Sequence, residues 1–159
     1  MEQRDEIRRS AEEARRRRPG ADTSQFEALR NASAGDPLAV AAPDGALAFW
    51  IVPYVRDGRA RGFAQVELSG VASRVAIFGS GDAASWIDAA YFRGAPEGTL
   101  AEIRAKHPGD PLSEPVFSYD LSPARWGWRV QGPDWTAFIT PGGWYDRAAS
   151  QAGRPELEA

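Results

Sequence analysis

Few side chains in this sequence could carry chemistry, because it has one histidine and no cysteine. The lack of cysteine excludes a disulfide scaffold, a thiolate zinc site and a cysteine nucleophile. The histidine, His107, closes a predicted helix, where a lone histidine more often interacts with terminal carbonyl groups than acts in catalysis. The sequence places no serine or carboxylate beside it for a catalytic triad. We predict a protein without catalytic residues, a metal site or a cofactor.

Two other patterns with catalytic associations are weak. Gly79-Ser-Gly-Asp82 follows a predicted strand, but it lacks the Gly-Lys-Ser/Thr of a phosphate-binding loop and the full glycine spacing of a dinucleotide site. Asp82 would repel phosphate, whereas an acid at a helix N-terminus is a favourable cap. Nothing sets two carboxylates at the separation that paired acid–base chemistry needs. The carboxylates considered are Asp88, Asp120, Asp134 and Asp146.

The tryptophans are the most unusual feature, since the chain has six and four of them fall between positions 126 and 144. Trp126 and Trp128 lie two apart on a predicted strand and therefore share a face, with Arg129 pointing the other way. They form either a tryptophan-rich core or an exposed aromatic platform, because Trp, Tyr and Arg are the hot-spot residues of interfaces. The predicted partner-binding residues are Trp126, Trp128, Arg125, Arg129, Trp144 and Tyr145. A small-ligand pocket is the alternative, lined by Trp50, Trp86, Trp126 and Trp128.

The chain has 159 residues and the composition of a folded protein, with 43% hydrophobic and 26% charged residues. Its net charge is −3, but residues 1–18 carry seven arginines against five acids, so the remainder carries −5. An acidic body argues against duplex nucleic acid as a partner, since binding phosphates needs a basic face. The N-terminus has no apolar signal segment, and no apolar run is long enough to span a membrane. We therefore expect a cytoplasmic protein, secreted only if a signal peptide has been removed.

Periodicity divides the chain into an arm, a central domain and a tail. Residues 1–20 predict a charged helical arm that is frayed or solvated, because it has little apolar surface to bury, and residues 148–159 predict a flexible tail. Leu47 to Val55 is apolar on both faces, as in a covered strand, and Asp57-Gly58 predicts a hairpin. Further strands are predicted at Ala64–Leu68, Val71–Ile77, Pro115–Leu121, Trp126–Gln131 and Trp135–Thr140. Amphipathic helices are predicted from Ala83 to Tyr91 and, after capping boxes, from Ser24 and Thr99.

The two halves of the central domain, residues 21–147, contain an internal sequence repeat. The two capping boxes lie 75 residues apart, and Gly35-Asp-Pro-Leu38 recurs as Gly109-Asp-Pro-Leu112. We predict an α+β fold in which two helix-plus-antiparallel-meander repeats, about 24–79 and 99–146, pack as one domain.

The second repeat also resembles a known family. Its short helix, the aromatic-Xaa-Val strand Trp128-Arg-Val130 and the strand Phe138–Gly143 that closes in a glycine turn are similar to a PepSY-like domain. The resemblance implies a non-enzymatic inhibitory or interaction module, often found outside the cytoplasm, and it implies no catalytic residue.

These patterns favour a non-enzymatic module that binds a protein or peptide through its tryptophan-rich sheet face or a sheet edge, such as an immunity-type inhibitor. The alternatives are a small-ligand protein or minor enzyme that uses the tryptophan pocket, and a protein that self-associates through edge strands or its arm. The oligomeric state is left open.

Overall fold

The computed structural model describes residues 2–18, 27–80, 83–84 and 86–148, which form helices and mostly antiparallel strands. The predicted α+β class is therefore confirmed. The helices are α1 (Glu2–Arg17), α2 (Glu27–Arg30) and α3 (Glu97–Lys106), and a 3₁₀ helix spans Ala89–Phe92. The strands are β1 (Ser33–Ala34), β2 (Leu38–Ala41), β3 (Leu47–Arg56), β4 (Arg59–Glu67), β5 (Ala72–Ile77), β6 (Gly79–Ser80), β7 (Ala83–Ala84), β8 (Ile87–Asp88), β9 (Val116–Asp120), β10 (Ser122–Gln131), β11 (Trp135–Thr140) and β12 (Gly143–Ala148).

The chain divides into two compact units. Unit 1 contains Met1–Val40 and Leu47–Arg93, and unit 2 contains Ala41–Ala46 and Gly94–Ala159. The prediction that two repeats pack as one domain stays a prediction.

In unit 1 the strands β2, β3, β4 and β5 are neighbours in that order, and β1 and β8 add to β3 and β4. Strand β3 is buried from Phe49 to Tyr54, which confirms the strand predicted from its continuous apolar run. Asp57 and Gly58 join β3 to β4 with φ values of 55° and 75°, so both occupy the left-handed region. A two-residue hairpin with positive φ at both positions matches the twist of its strands, and the predicted hairpin is confirmed.

Helix α1 packs on the sheet of unit 1. Ile7 and Ala11 are buried in the core with Tyr54, whose hydroxyl donates to the Ala11 carbonyl at 2.7 Å. Arg15 donates to the Leu29 carbonyl at 3.0 Å and pairs with Glu12. The expectation of a solvated arm is therefore wrong for residues 2–17, because two apolar side chains one turn apart and polar anchors on the same face suffice to dock the helix.

The predicted helix from Ala83 to Tyr91 is also wrong. Ile87 pairs with Ala60 across β8 and β4, and the Asp88 carboxylate accepts from the Ala90 amide at 2.9 Å, which starts the 3₁₀ helix. Pairing with β4 gives the backbone N–H and C=O groups of this segment hydrogen-bond partners. The helical spacing of its apolar residues is therefore not sufficient to make it a helix.

The helix predicted from Thr99 to His107 is confirmed as α3. It begins at Glu97, two residues before the predicted cap. Ser24 and most of the predicted tail lie outside the described residues. None of the helices in the part of the chain that the structure describes has the length and apolarity that crossing a bilayer requires.

Unit 2 is built on an antiparallel meander in which β9, β10, β11 and β12 pair in sequence order. Three of these strands match the predicted ones, and the turn at Pro141-Gly142 leads into β12, which was not predicted. The β12 sequence, Gly-Trp-Tyr-Asp-Arg-Ala, lacks a clear alternation of apolar and polar residues, so only its pairing with β11 identifies it as a strand.

Candidate binding site

The register of unit 2 places its side chains on two faces, because directly opposed residues of paired strands share a face and successive residues alternate. The first, here the tryptophan face, carries Phe117, Trp126, Trp128, Ile139 and Trp144. The second, here the arginine face, carries Val116, Arg129, Phe138, Tyr145 and Arg147.

Trp126 and Trp128 are buried on the tryptophan face, with 9% and 8% of their surface exposed. Both pack on Phe117, at ring-centroid distances of 5.6 and 5.0 Å. This burial is what the core interpretation predicts, and it leaves little surface for an exposed platform. Arg125, beside them, is exposed.

Trp144 lies on the same face but interacts with α3. Its indole Nε1 donates to Glu102 at 3.1 Å, and the Lys106 ammonium lies 5.6 Å from its ring centroid. The predicted residues are thus divided: Trp126, Trp128 and Trp144 lie on the tryptophan face, and Arg129 and Tyr145 on the arginine face.

His107 also joins α3 to the sheet. Its Nε2 lies 2.7 Å from an Asp146 oxygen, and its ring stacks on Trp135 at 3.9 Å. Lys106 donates to the other Asp146 oxygen at 2.8 Å. Each contact fixes the end of α3 against β11 or β12, so this geometry assigns His107 a structural role.

The Asp146 cluster predicts a pH-dependent contribution to stability. The Lys106 hydrogen bond above all, and then His107, hold the pKa of Asp146 below its usual value. A carboxylate with a lowered pKa in the folded state stabilises the fold above its ordinary pKa, and the stabilisation disappears as pH falls through the folded value. We expect Asp146→Asn to lower the free energy of unfolding by about 1 kcal/mol at neutral pH.

Urea unfolding at neutral and acidic pH tests this expectation. The difference between wild type and Asp146→Asn should shrink in acid, where Asp146 is protonated. The matched control is Asp134→Asn at an exposed position in the β10–β11 turn, which should change stability at neither pH. A difference of the same size at both values would show that charge is not the cause.

The arginine face has a buried carboxylate at its centre. Asp120 is 4% exposed, and its two oxygens accept from the Tyr145 hydroxyl and from Arg147 Nη2. Burial, followed by the hydrogen bond to Asp120, raises the pKa of Tyr145 to about 12, so the phenol keeps its proton at neutral pH. The sequence marked Asp120 only as an available carboxylate. Its two partners lie on β12, and the register of β12 had to be known to find them.

Arg129 lies on the same face without a carboxylate partner. Its Nη1 donates to Ser118 Oγ at 3.1 Å and more weakly to the Pro43 carbonyl at 3.5 Å, and burial lowers its pKa. No salt bridge within the described residues includes Arg129. The guanidinium Nε of Arg147 is buried, and it has no hydrogen-bond partner among the described residues.

A cavity of about 150 Å³ opens on the arginine face. Its lining residues are Pro43, Tyr119, Asp120, Leu121, Arg129, Gln131, Thr136, Phe138 and Arg147. Two guanidinium groups and one carboxylate give this lining a formal charge of +1, within a chain whose net charge is −3.

Apolar side chains stand at the edge of this cavity. Leu121 is 70% exposed and has a φ of 68°. The left-handed conformation costs a residue with a Cβ about 1–2 kcal/mol. Pro43, which also lines the cavity, is exposed as well. The site therefore combines a charged floor with an apolar rim.

The predicted tryptophan pocket is not formed within unit 1. Trp50 is buried and pairs with Val66 near one end of β4. Trp86 is exposed, and its ring lies 4.2 Å from the Arg59 guanidinium. It precedes Ile87, which pairs with Ala60 near the other end of β4. Six residues of strand separate these points by about 20 Å. Trp50 and Trp86 are therefore not brought together.

No group of three or more side chains that could hold a metal ion occurs in the described part of the chain. Comparison with known proteins found no matching family model, no matching curated protein and no matching solved structure. The resemblance to a PepSY-like domain stays a prediction.

Proposed function

We propose that the chain is a non-enzymatic module that binds a peptide segment of a partner protein through the arginine face of unit 2. One observation carries the proposal: Leu121 is exposed in a strained backbone conformation at the edge of a charged cavity. Strained, exposed residues cluster at ligand clamps and interfaces, where function compensates for their cost in stability. Apolar side chains around a polar cavity also suit a partner that inserts one side chain and covers its surroundings.

The size of the cavity favours a peptide over a small-molecule ligand. Sites for drug-sized ligands occupy roughly 300–1,000 Å³, whereas this cavity has about 150 Å³. That volume suits a single side chain, and the rest of a peptide would lie on the rim. The PepSY-like resemblance, which implies an inhibitory or interaction module, supports the same class of function.

We also propose that the two units are duplicated repeats. Each contains a helix followed by a four-strand meander, α2 with β2–β5 and α3 with β9–β12. This order and the repeated Gly-Asp-Pro-Leu segments support the proposal.

The experiment for the proposed function uses Leu121→Gly. Glycine adopts positive φ without penalty, so the variant should be more stable than wild type by about 1 kcal/mol. Peptides selected by the wild type from a displayed random library should nevertheless bind the Leu121→Gly variant at least about tenfold more weakly. The variant lacks the leucine side chain that a bound peptide would bury.

Leu68→Gly is the matched control, because Leu68 is exposed after β4 in unit 1 and has no positive φ. It should be slightly less stable than wild type and bind the selected peptides equally well. A library that yields no binder, or a Leu121→Gly variant that binds as tightly as wild type, would overturn the proposal.

A further inference from the structure

We infer that the cavity of the arginine face binds a carboxylate, namely the side chain of a glutamate or aspartate in the partner segment. The inference rests on the proposed function and names the chemistry that the site recognises. Three properties of the cavity carry it: its charge, its unused donors and its size.

The charge of the lining favours one negative charge in the ligand. Asp120 neutralises Arg147, and both of its oxygens are engaged, by Arg147 and by Tyr145. Arg129 remains as a half-buried cation whose described hydrogen bonds go to a hydroxyl and a carbonyl. A partly desolvated charge without a counter-charge is unfavourable. A bound carboxylate would provide that counter-charge.

The unused donors are of the type that recognises carboxylates. Guanidinium groups present planar N–H donors that match a carboxylate, and these charged hydrogen bonds are about twice as strong as neutral ones. Arg147 lines the cavity, and of its guanidinium nitrogens only Nη2 donates to an acceptor among the described residues, Asp120. Arg129 lines the same cavity. A carboxylate that enters the cavity can therefore accept from both guanidinium groups.

Size and charge together favour a carboxylate over a phosphate. A volume of about 150 Å³ accommodates a carboxylate and its short aliphatic stem. A phosphate group would bring a charge of about −1.5 to −2 at neutral pH, which exceeds the formal +1 of the lining. The apolar rim at Leu121 and Pro43 would contact the neighbouring residues of the segment.

The test uses N-acetyl-glutamate N-methylamide, which carries a side-chain carboxylate between neutral ends, and its glutamine counterpart as the uncharged probe. Titration followed by NMR of the arginine Nε–H groups should shift the Arg129 and Arg147 resonances, with a millimolar dissociation constant for the glutamate probe. The glutamine probe should bind at least about tenfold more weakly, since charged hydrogen bonds are lost. Raising the salt concentration should weaken only the glutamate probe.

Arg129→Gln should lower the affinity for the glutamate probe at least about tenfold. The matched control is Arg104→Gln on the exposed side of α3, which should bind like wild type. If Arg129→Gln does not fold, the comparison of the two probes on the wild-type protein still decides the question.

Equal binding of the glutamate and glutamine probes would overturn the carboxylate assignment, and so would tighter binding of inorganic phosphate. Neither result contradicts the proposed function if the peptide library still yields binders that depend on Leu121. A library without binders, by contrast, contradicts the proposed function itself.

Discussion

Replacing Asp120 with alanine is expected to lower the free energy of unfolding by about 3 kcal/mol, because removing one partner of a buried ion pair leaves the other charge without compensation. Asp120 is 4% exposed, and the side chain of its partner Arg147 is largely buried. The substitution also removes the acceptor of the Tyr145 hydroxyl. Urea unfolding of wild type and variant at neutral pH measures the loss.

A double variant separates the unpaired charge from the general loss of contacts. In Asp120→Ala/Arg147→Met both members of the ion pair are removed, and the methionine keeps most of the apolar stem of Arg147. We expect this protein to recover more than half of the lost stability, since replacing both members of a buried pair is often close to neutral. A double variant no more stable than Asp120→Ala would show that the unpaired arginine does not cause the loss.

Gly62→Ala is expected to cost about 3 kcal/mol, the upper part of the range for adding a methyl group to a packed site. Gly62 lies in β4, paired with Ile77 of β5. A Cβ there would lie 2.3 Å from the Ala76 carbonyl oxygen and 2.9 Å from Leu29 Cδ2. The leucine can rotate away, but the carbonyl belongs to the paired strand and moves only if the strands separate. Urea unfolding again provides the measurement.

The same substitution at Gly98 is the control. Nothing lies within 4 Å of a Cβ at this position in the first turn of α3, and alanine is the better helix former. Gly98→Ala should therefore raise stability, by about 0.5 kcal/mol near a helix end. If Gly62→Ala unfolded at the wild-type urea concentration, the close approach of β4 and β5 would be wrong.

The elements predicted correctly are those specified by neighbouring residues. The continuous apolar run of β3 and the Asp57-Gly58 turn act over a few residues, and so their structure follows from local chemistry. The same holds for the end of α3 at His107. The failures have a different cause: Ile87 pairs with β4 and α1 docks through Tyr54, and neither partner is near in sequence.

The site was predicted only in part for the same reason. The residue types of Arg129 and Tyr145 predict a binding role, and both residues lie on the arginine face. The size of Trp126 and Trp128 favours burial as well as binding, and both side chains are buried. Which of the two applies depends on what covers the strand.

By itself, the sequence determined the α+β class and most of the meander strands, and it excluded cysteine chemistry and multi-histidine metal centres, because composition and short-range periodicity are sufficient for these conclusions. Only the tertiary structure brought Asp120 to Tyr145 and Arg147, which are 25 and 27 residues away. It also left Leu121 exposed in a left-handed conformation at the same cavity. The physical reason is strand register, since a shift of one residue would move Asp120, Tyr145 or Arg147 to the opposite face of the sheet.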